Sequence, residues 1–181
     1  MRKIKFIDHK KGFTIIELLI ALTILLIVIV LGYSFNFYVT RSFDIATKQS
    51  EVQQNVRLAK NMIENYYQVR FSEIKLLNAV EEPEEDYQII YVDDNGIIKY
   101  QKHGDEPENL LLGDLNSGIN MQLTFTKDAY NDSLLGIKVA GDIDGDYSYN
   151  IDSKILIENA TAIQGDSGSV IIFKNPDIED E

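Results

Sequence analysis

A nearly unbroken apolar stretch over residues 13–33 constrains this chain more than any other feature. Its 21 residues contain one charged side chain, Glu17. As a helix they would extend about 31 Å at roughly 1.5 Å per residue, which matches the hydrocarbon core of a bilayer. No small-x-small cleavage site follows the stretch, as it would after the apolar core of a secretory signal peptide. The sequence therefore predicts a retained transmembrane helix.

Charge is distributed unevenly on the two sides of this stretch. Residues 1–12 hold five of the 17 basic residues and one of the 29 acidic residues. By the positive-inside rule, this bias predicts a single-pass protein of the cytoplasmic membrane, with residues 1–12 in the cytoplasm and the body outside. The net charge is −12, and no basic patch occurs after residue 12, so we do not expect the chain to bind nucleic acid.

Helical periodicity continues beyond the apolar stretch. No proline occurs before Pro83, and apolar residues recur at spacings typical of one helix face. We expect residues 34–80 to be an amphipathic continuation of the helix that ends near Leu77, with Gly32 as a point where it can bend. Pro83, within an acidic run, then ends the helix. The predicted apolar stripe is Ile45, Val52, Val56, Ala59, Ile63 and Tyr66.

After Pro83 the apolar residues recur with a period of two, which is typical of strands. Asn95-Gly96 is a strong hairpin signal between the first two of them. Residues 87–176 are predicted to form an antiparallel sheet, with residues 177–181 as an acidic tail. The apolar stripe of the helix can cover one face of this sheet, so the fold class is α+β. The predicted strands are 87–92, 97–102, 119–126, 134–140, 147–158 and 169–174.

The residues that precede and begin the apolar stretch form a recognisable motif. Lys10 and Lys11 precede Gly12, Phe13 follows it, and Glu17 is the fifth residue after Gly12. This order resembles the N-terminal processing motif shared by type IV pilins, type II secretion pseudopilins and competence pseudopilins. The resemblance implies that a prepilin peptidase cleaves between Gly12 and Phe13, that Phe13 is N-methylated, and that Glu17 acts in assembly. Residues 1–12 would then be a leader peptide.

The same resemblance implies a pilin-like fold and a structural subunit of a filament rather than an enzyme. The expected partners are the membrane, other pilin or pseudopilin subunits and an inner-membrane assembly platform, and the mature chain would reach a cell-surface filament. Residues 50–160 resemble, more diffusely, J-type minor pseudopilins and related minor pilins, through pairs such as Val56-Arg57 and Val69-Arg70. Whether the machine is a pilus, a secretion system or a competence system stays open.

Glu17 has a physical reason to need a partner. An ionised carboxylate in an apolar membrane helix costs about 2.5 kcal/mol or more when it is unpaired. Cleavage after Gly12 would create a cationic amine at Phe13, and a neighbouring subunit could bring its own amine to Glu17. The alternative is a glutamate that snorkels to the membrane edge of an ordinary anchor.

Other chemistry has weaker support. Asp142, Asp144 and Asp146 alternate as calcium ligands could, but an EF-hand loop would place glycine after the third ligand and glutamate at position twelve. An Asp-Gly hairpin turn explains the same residues and is favoured. No other cofactor is expected, and His9 and His103 are too few for a histidine metal site or a catalytic triad. The alternative function is a membrane-anchored sensor or enzyme whose leader matches by chance.

Overall fold

The computed structural model describes residues 12–67, 73–111, 118–157 and 163–174. The chain divides into two compact units, with the boundary between Ile45 and Ala46. Helix α1 (Ile15–Tyr67) contributes to both units, and the ten described strands belong to the second, which we call the head. Residues 1–11 of the predicted leader (1–12), the Val69-Arg70 pair and the predicted tail at 177–181 lie outside the described residues.

Helix α1 begins where the sequence predicts but ends earlier. It continues through Gly32 without interruption. The expectation that the helix reaches Leu77 and fills residues 34–80 is wrong, because Glu73–Leu77 forms strand β1. Ile74 and Leu76 are buried and their neighbours are half-buried, which is the alternation of a strand. Five residues are too few for the sequence alone to separate the two periods, and tertiary pairing decides for the strand.

The strands follow one another with short connections in most of the head. All six predicted strands are present, with bounds that differ by at most three residues. β1, β4, β8 and β9 were not predicted. The bounds are β1 (Glu73–Leu77), β2 (Tyr87–Val92), β3 (Ile98–Lys102), β4 (Glu108–Asn109), β5 (Asn120–Lys127), β6 (Leu134–Ile143), β7 (Tyr147–Leu156), β8 (Ile163–Gln164), β9 (Ser167–Gly168) and β10 (Val170–Lys174).

These strands form two sheets, whereas the sequence predicted one antiparallel sheet. The first has six strands in the order β4-β3-β2-β10-β1-β8, and the second has four in the order β7-β6-β5-β9. β1 and β8 run parallel, with Ile74 opposite Ile163, and the other pairs are antiparallel. β1 pairs with β10, which lies near the other end of the head sequence. No local sequence pattern could predict a pair this far apart.

The part of α1 in the head packs on the four-stranded sheet. Gly141 in β6 permits a close approach, because a Cβ added there would lie 2.9 Å from Cγ2 of Val56. Farther along the helix, the Ser153 hydroxyl of β7 donates a hydrogen bond to Oε1 of Glu64 at 2.5 Å. Ile45 is half-buried, and the side chain of Tyr66 is not described. The predicted stripe is confirmed at four residues that are at most 1% exposed: Val52, Val56, Ala59 and Ile63.

A second, smaller apolar cluster lies on the other face of the six-stranded sheet. Val170 and Ile172 belong to it, while Ile171 and Phe173 point to the main core, as the alternation of a strand requires. At its margin the Tyr87 hydroxyl donates to Oε2 of Glu73 at 2.6 Å. This hydrogen bond, with a smaller contribution from desolvation and nearby carboxylates, raises the pKa of Tyr87 to about 12.

Candidate assembly site

The predicted site residue Glu17 lies in the first turn of α1, where it caps its own helix. Thr14 is the residue just before the helix, and its backbone N–H donates to Oε2 of Glu17 at 2.8 Å. In return, the Glu17 backbone N–H donates to the Thr14 hydroxyl oxygen at 3.3 Å. The Thr14 hydroxyl also donates to Oε2, at 2.9 Å. This reciprocal arrangement is a capping box, which satisfies two backbone donors that a helix start leaves open.

The capping box changes the interpretation of Glu17. Sequence reasoning treated the carboxylate as having no partner before cleavage, but Thr14 of the same chain already binds it. The signal was present in the sequence, since Thr14 and Glu17 have the S/T-x-x-E spacing. Both donors reach Oε2, and among the described residues none donates to Oε1. One carboxylate oxygen is therefore held in place while the other can accept a further donor.

The predicted cleavage position precedes this capped turn. Gly12 and Phe13 are exposed, and a Cβ added at Gly12 would meet no atom within 4 Å. Nothing in the described part of this chain requires glycine at that position. A requirement for glycine there would come from a protein that binds the segment, such as a peptidase.

The apolar residues that follow are exposed on every side of the helix. From Phe13 to Leu31 the large apolar side chains are 46–88% exposed. Hydroxyl groups within this part of the helix bond to their own backbone: Thr23 donates to the Leu19 carbonyl at 2.8 Å. The helix is long and apolar enough to cross a membrane. A surface of this kind is stable only when lipid or other protein surrounds it.

The acidic segment at Asp142–Asp146 forms the favoured hairpin turn. Asp144 and Gly145 both have positive φ, 56° and 75°, as a tight turn between β6 and β7 requires. The Asp146 N–H donates to the Ile143 carbonyl at 3.1 Å, and the Gly145 N–H donates to Oδ1 of Asp142, also at 3.1 Å. No group of three metal-ligating side chains occurs among the described residues. Calcium binding by Asp142, Asp144 and Asp146 stays an untested alternative to the turn.

Comparison with known proteins then identifies the N-terminal segment. The family model described as the prokaryotic N-terminal methylation motif matches residues 7–33, which include Gly12, Phe13 and Glu17. The chain carries a prepilin motif. The resemblance carried by residues 10–17 is thereby confirmed, and the capped start of α1 lies within the matched segment. No curated protein sequence matches the chain.

A solved structure supports the fold of the remainder. The chain is similar to a point mutant of the PilB minor pilin from Streptococcus sanguinis, with a TM-score of 0.55 and 16% sequence identity. The similarity covers 74% of this chain and 36% of that structure, so the chain corresponds to about a third of the length of its structural relative. At this identity the similarity shows the fold alone: an α+β pilin fold with a long N-terminal helix on β-sheets.

Proposed function

We propose that the chain is a structural subunit of a type IV pilus, or of the related filament of a type II secretion or competence system, and most specifically a minor pilin or J-type minor pseudopilin. The observation that carries this proposal is the capped start of α1, within the matched prepilin motif, followed by an apolar helix that is exposed on every side. Such a helix suits two environments in succession, first a bilayer and then a bundle of identical or related helices.

The proposed life of the chain begins in the cytoplasmic membrane. Residues 1–12 face the cytoplasm, the apolar part of α1 spans the bilayer, and the head lies outside, as the basic leader and acidic body favour. A prepilin peptidase removes the leader between Gly12 and Phe13, and the new amino terminus is methylated. An inner-membrane assembly platform then transfers the subunit into a filament with other pilin or pseudopilin subunits.

Glu17 supplies the register in this scheme. Thr14 holds Oε2, so the carboxylate has a defined position before any neighbour arrives. The Phe13 amine of a neighbouring subunit can approach Oε1, and an ion pair in apolar surroundings is strongly preferred over an unpaired carboxylate. The pair forms at only one axial offset between two helices. Assembly in that offset would relieve the cost of placing Glu17 among apolar side chains.

Processing is the experiment that tests this function. Coexpression with a prepilin peptidase should yield a mature chain that begins at Phe13, as measured by intact-mass spectrometry. Gly12→Val should remain uncut, because a branched side chain obstructs the peptidase where this chain itself has open space. An uncut wild-type chain beside an active peptidase, or a cut at another position, would favour the membrane-anchored sensor or enzyme instead.

A further inference from the structure

Four aromatic side chains cluster at the C-terminal end of the apolar stretch, within the first unit of the chain, and a fifth exposed ring, Phe43, lies beyond Arg41. The four are 69–78% exposed, whereas Phe125 and Phe173 in the head are completely buried. We call the four residues the aromatic girdle. Large exposed rings in a soluble unit would be a liability, so their position calls for a specific environment. The girdle consists of Tyr33, Phe35, Phe37 and Tyr38.

The girdle does not form one face of the helix. At about 100° per residue, Phe35, Phe37 and Tyr38 point about 200°, 40° and 140° away from Tyr33. The four rings therefore span an arc of about 200°, whereas a helix face that packs on a single partner is about 100° wide. A medium that surrounds the helix matches this distribution better than one protein surface does.

The axial position of the girdle matches the outer edge of a bilayer. Tyr33 lies about 30 Å along the helix from Phe13, which is the thickness of the hydrocarbon core. Tyr38 lies about 7.5 Å farther, and the interfacial layer on each side of the core is about 5–7 Å thick. Tyrosine prefers this layer because its ring is apolar and its hydroxyl group is polar.

Polarity along the helix changes at the same place. The Ser34 hydroxyl still donates to its own backbone, to the Val30 carbonyl at 2.9 Å, which is how a hydroxyl is satisfied next to hydrocarbon. Asn36 is the first amide after the apolar stretch, and Arg41 is the first charged residue after Glu17. The girdle thus lies between the apolar part of the helix and the part in which charged residues reappear.

We propose that the aromatic girdle binds the headgroup layer of the outer leaflet and fixes the depth of α1 in the bilayer before assembly. The proposal rests on the membrane anchoring in the proposed function. It adds the residues that set the depth of α1 in the bilayer. Glu17 lies about 24 Å from Tyr33 along the helix. Girdle binding would therefore hold Glu17 at one depth near the cytoplasmic side of the bilayer. The Glu17 carboxylates of all subunits in the membrane would then lie in the same plane.

The chain contains no tryptophan, so single tryptophan substitutions can report this depth without background. The full chain is reconstituted into vesicles of dioleoyl phosphatidylcholine that contain the same lipid brominated either near the headgroup or near the middle of the acyl chains. Tyr33→Trp and Phe35→Trp place reporters on nearly opposite sides of the helix. Leu26→Trp is the control for the bilayer centre, and Tyr130→Trp, at a residue 99% exposed in the head, is the control for water.

Both girdle reporters should be quenched more by shallow than by deep bromines, and Leu26→Trp should show the reverse. Tyr130→Trp should be quenched by aqueous iodide and by neither lipid. If Leu26→Trp is deep but the girdle reporters behave like Tyr130→Trp, the girdle proposal is overturned while anchoring stands. If only one of the two girdle reporters is quenched, a one-sided protein contact replaces the lipid layer. If Leu26→Trp is not in the bilayer, both the anchoring and the girdle fail.

Discussion

One helix serves two regions of this molecule in opposite ways. In the first unit, Val28 and its apolar neighbours are about half exposed or more, whereas in the head Val56 is completely buried against β6. The hydroxyl of Thr23 bonds to its own helix, whereas Ser153 bonds to a residue of another element, Glu64. The apolar side chains of the head thus pack against other elements of the chain, whereas those of the first unit are left for lipid or other protein to cover.

This difference explains why the two regions should respond to substitution independently. Stability of the head depends on packing between α1 and the four-stranded sheet, and no described contact of that core requires residues 13–33. The apolar part of α1 is instead proposed to determine membrane insertion and assembly. Placing the same substitution in both regions tests this independence, and a pH effect confined to the head sharpens it.

The largest contrast is expected for aspartate in place of valine. Val56→Asp buries a carboxylate against Gly141 without a partner, so it should destabilise the head by about 4 kcal/mol or more. Val28→Asp should leave head stability unchanged but reduce membrane insertion, at a cost of about 2.5–3.5 kcal/mol. Thermal unfolding of the full chain in detergent measures the first effect, and membrane fractionation measures the second. Equal loss of head stability in the two variants would show that the regions are not independent.

Glycine to alanine should give a smaller contrast. Gly141→Ala places a Cβ 2.9 Å from both Cγ2 of Val56 and Sδ of Met121, so we expect a loss of about 1–3 kcal/mol in head stability through overpacking. Gly32→Ala meets no atom within 4 Å and should leave the unfolding of the head unchanged. The same detergent unfolding experiment compares them. A harmless Gly141→Ala would mean that α1 and β6 lie farther apart than described.

The smallest effect is a pH dependence confined to the head. Tyr87 has its pKa raised from 10.0 to about 12, chiefly by its hydrogen bond to Glu73. The neutral phenol is favoured in the folded state, so its contribution to stability is complete below pH 10 and is lost as the pH rises from 10 to about 12. Absorbance titration should show Tyr87 ionising late, beside a second late contribution from Tyr91, whose pKa is raised by burial.

Two variants check this assignment. Tyr87→Phe should remove the late-titrating group, and Glu73→Gln should lower the pKa of Tyr87 because the negative charge on its hydrogen-bond acceptor is gone. Deleting residues 1–45 should change neither titration. Because Tyr91 also titrates late, the contradicting result is a Tyr87→Phe titration that keeps the full late amplitude of the wild type.

Patterns in the sequence were sufficient where the structure is local. The apolar stretch, the stripe through Val56 and the hairpin at Asn95-Gly96 are short-range features, and Gly96 indeed has the positive φ, 73°, that its turn requires. The prepilin motif was recognisable from residues 10–17 for the same reason, since it is a contiguous string. These features fixed the fold class and the candidate site.

Long-range pairing was the part that the sequence did not reveal. β1 became a strand because β10, nearly a hundred residues later, pairs with it. β9 has two residues, and Gly168 lies so close to β1 that an added Cβ would be 2.3 Å from the Leu77 carbonyl oxygen. No period can be detected in two residues. The capping box of Thr14 and Glu17 was different, because its S/T-x-x-E spacing is a local pattern in the sequence.

We propose that Glu17 pairs with the Phe13 amine of a neighbouring subunit during assembly, in addition to capping its own helix. Two variants separate these roles. Glu17→Gln keeps a side-chain oxygen for the Thr14 N–H and so preserves the capping box, but it loses the charge that attracts a neighbour's amine. Thr14→Val removes the hydroxyl part of the cap, worth about 1 kcal/mol, and keeps the carboxylate. Both should be inserted in the membrane and cleaved after Gly12.

The decisive measurement is the amount of each mature variant in sheared filaments relative to the membrane fraction, with the cleavage of each verified by intact mass. If Glu17 pairs with a neighbour's amine, Glu17→Gln should be strongly depleted from filaments, as Glu17→Ala should be. Glu17→Asp should be intermediate, and Thr14→Val should be close to wild type. If Glu17→Gln reaches the filaments as well as wild type while Thr14→Val does not, the carboxylate serves the helix start alone and the pairing role is contradicted.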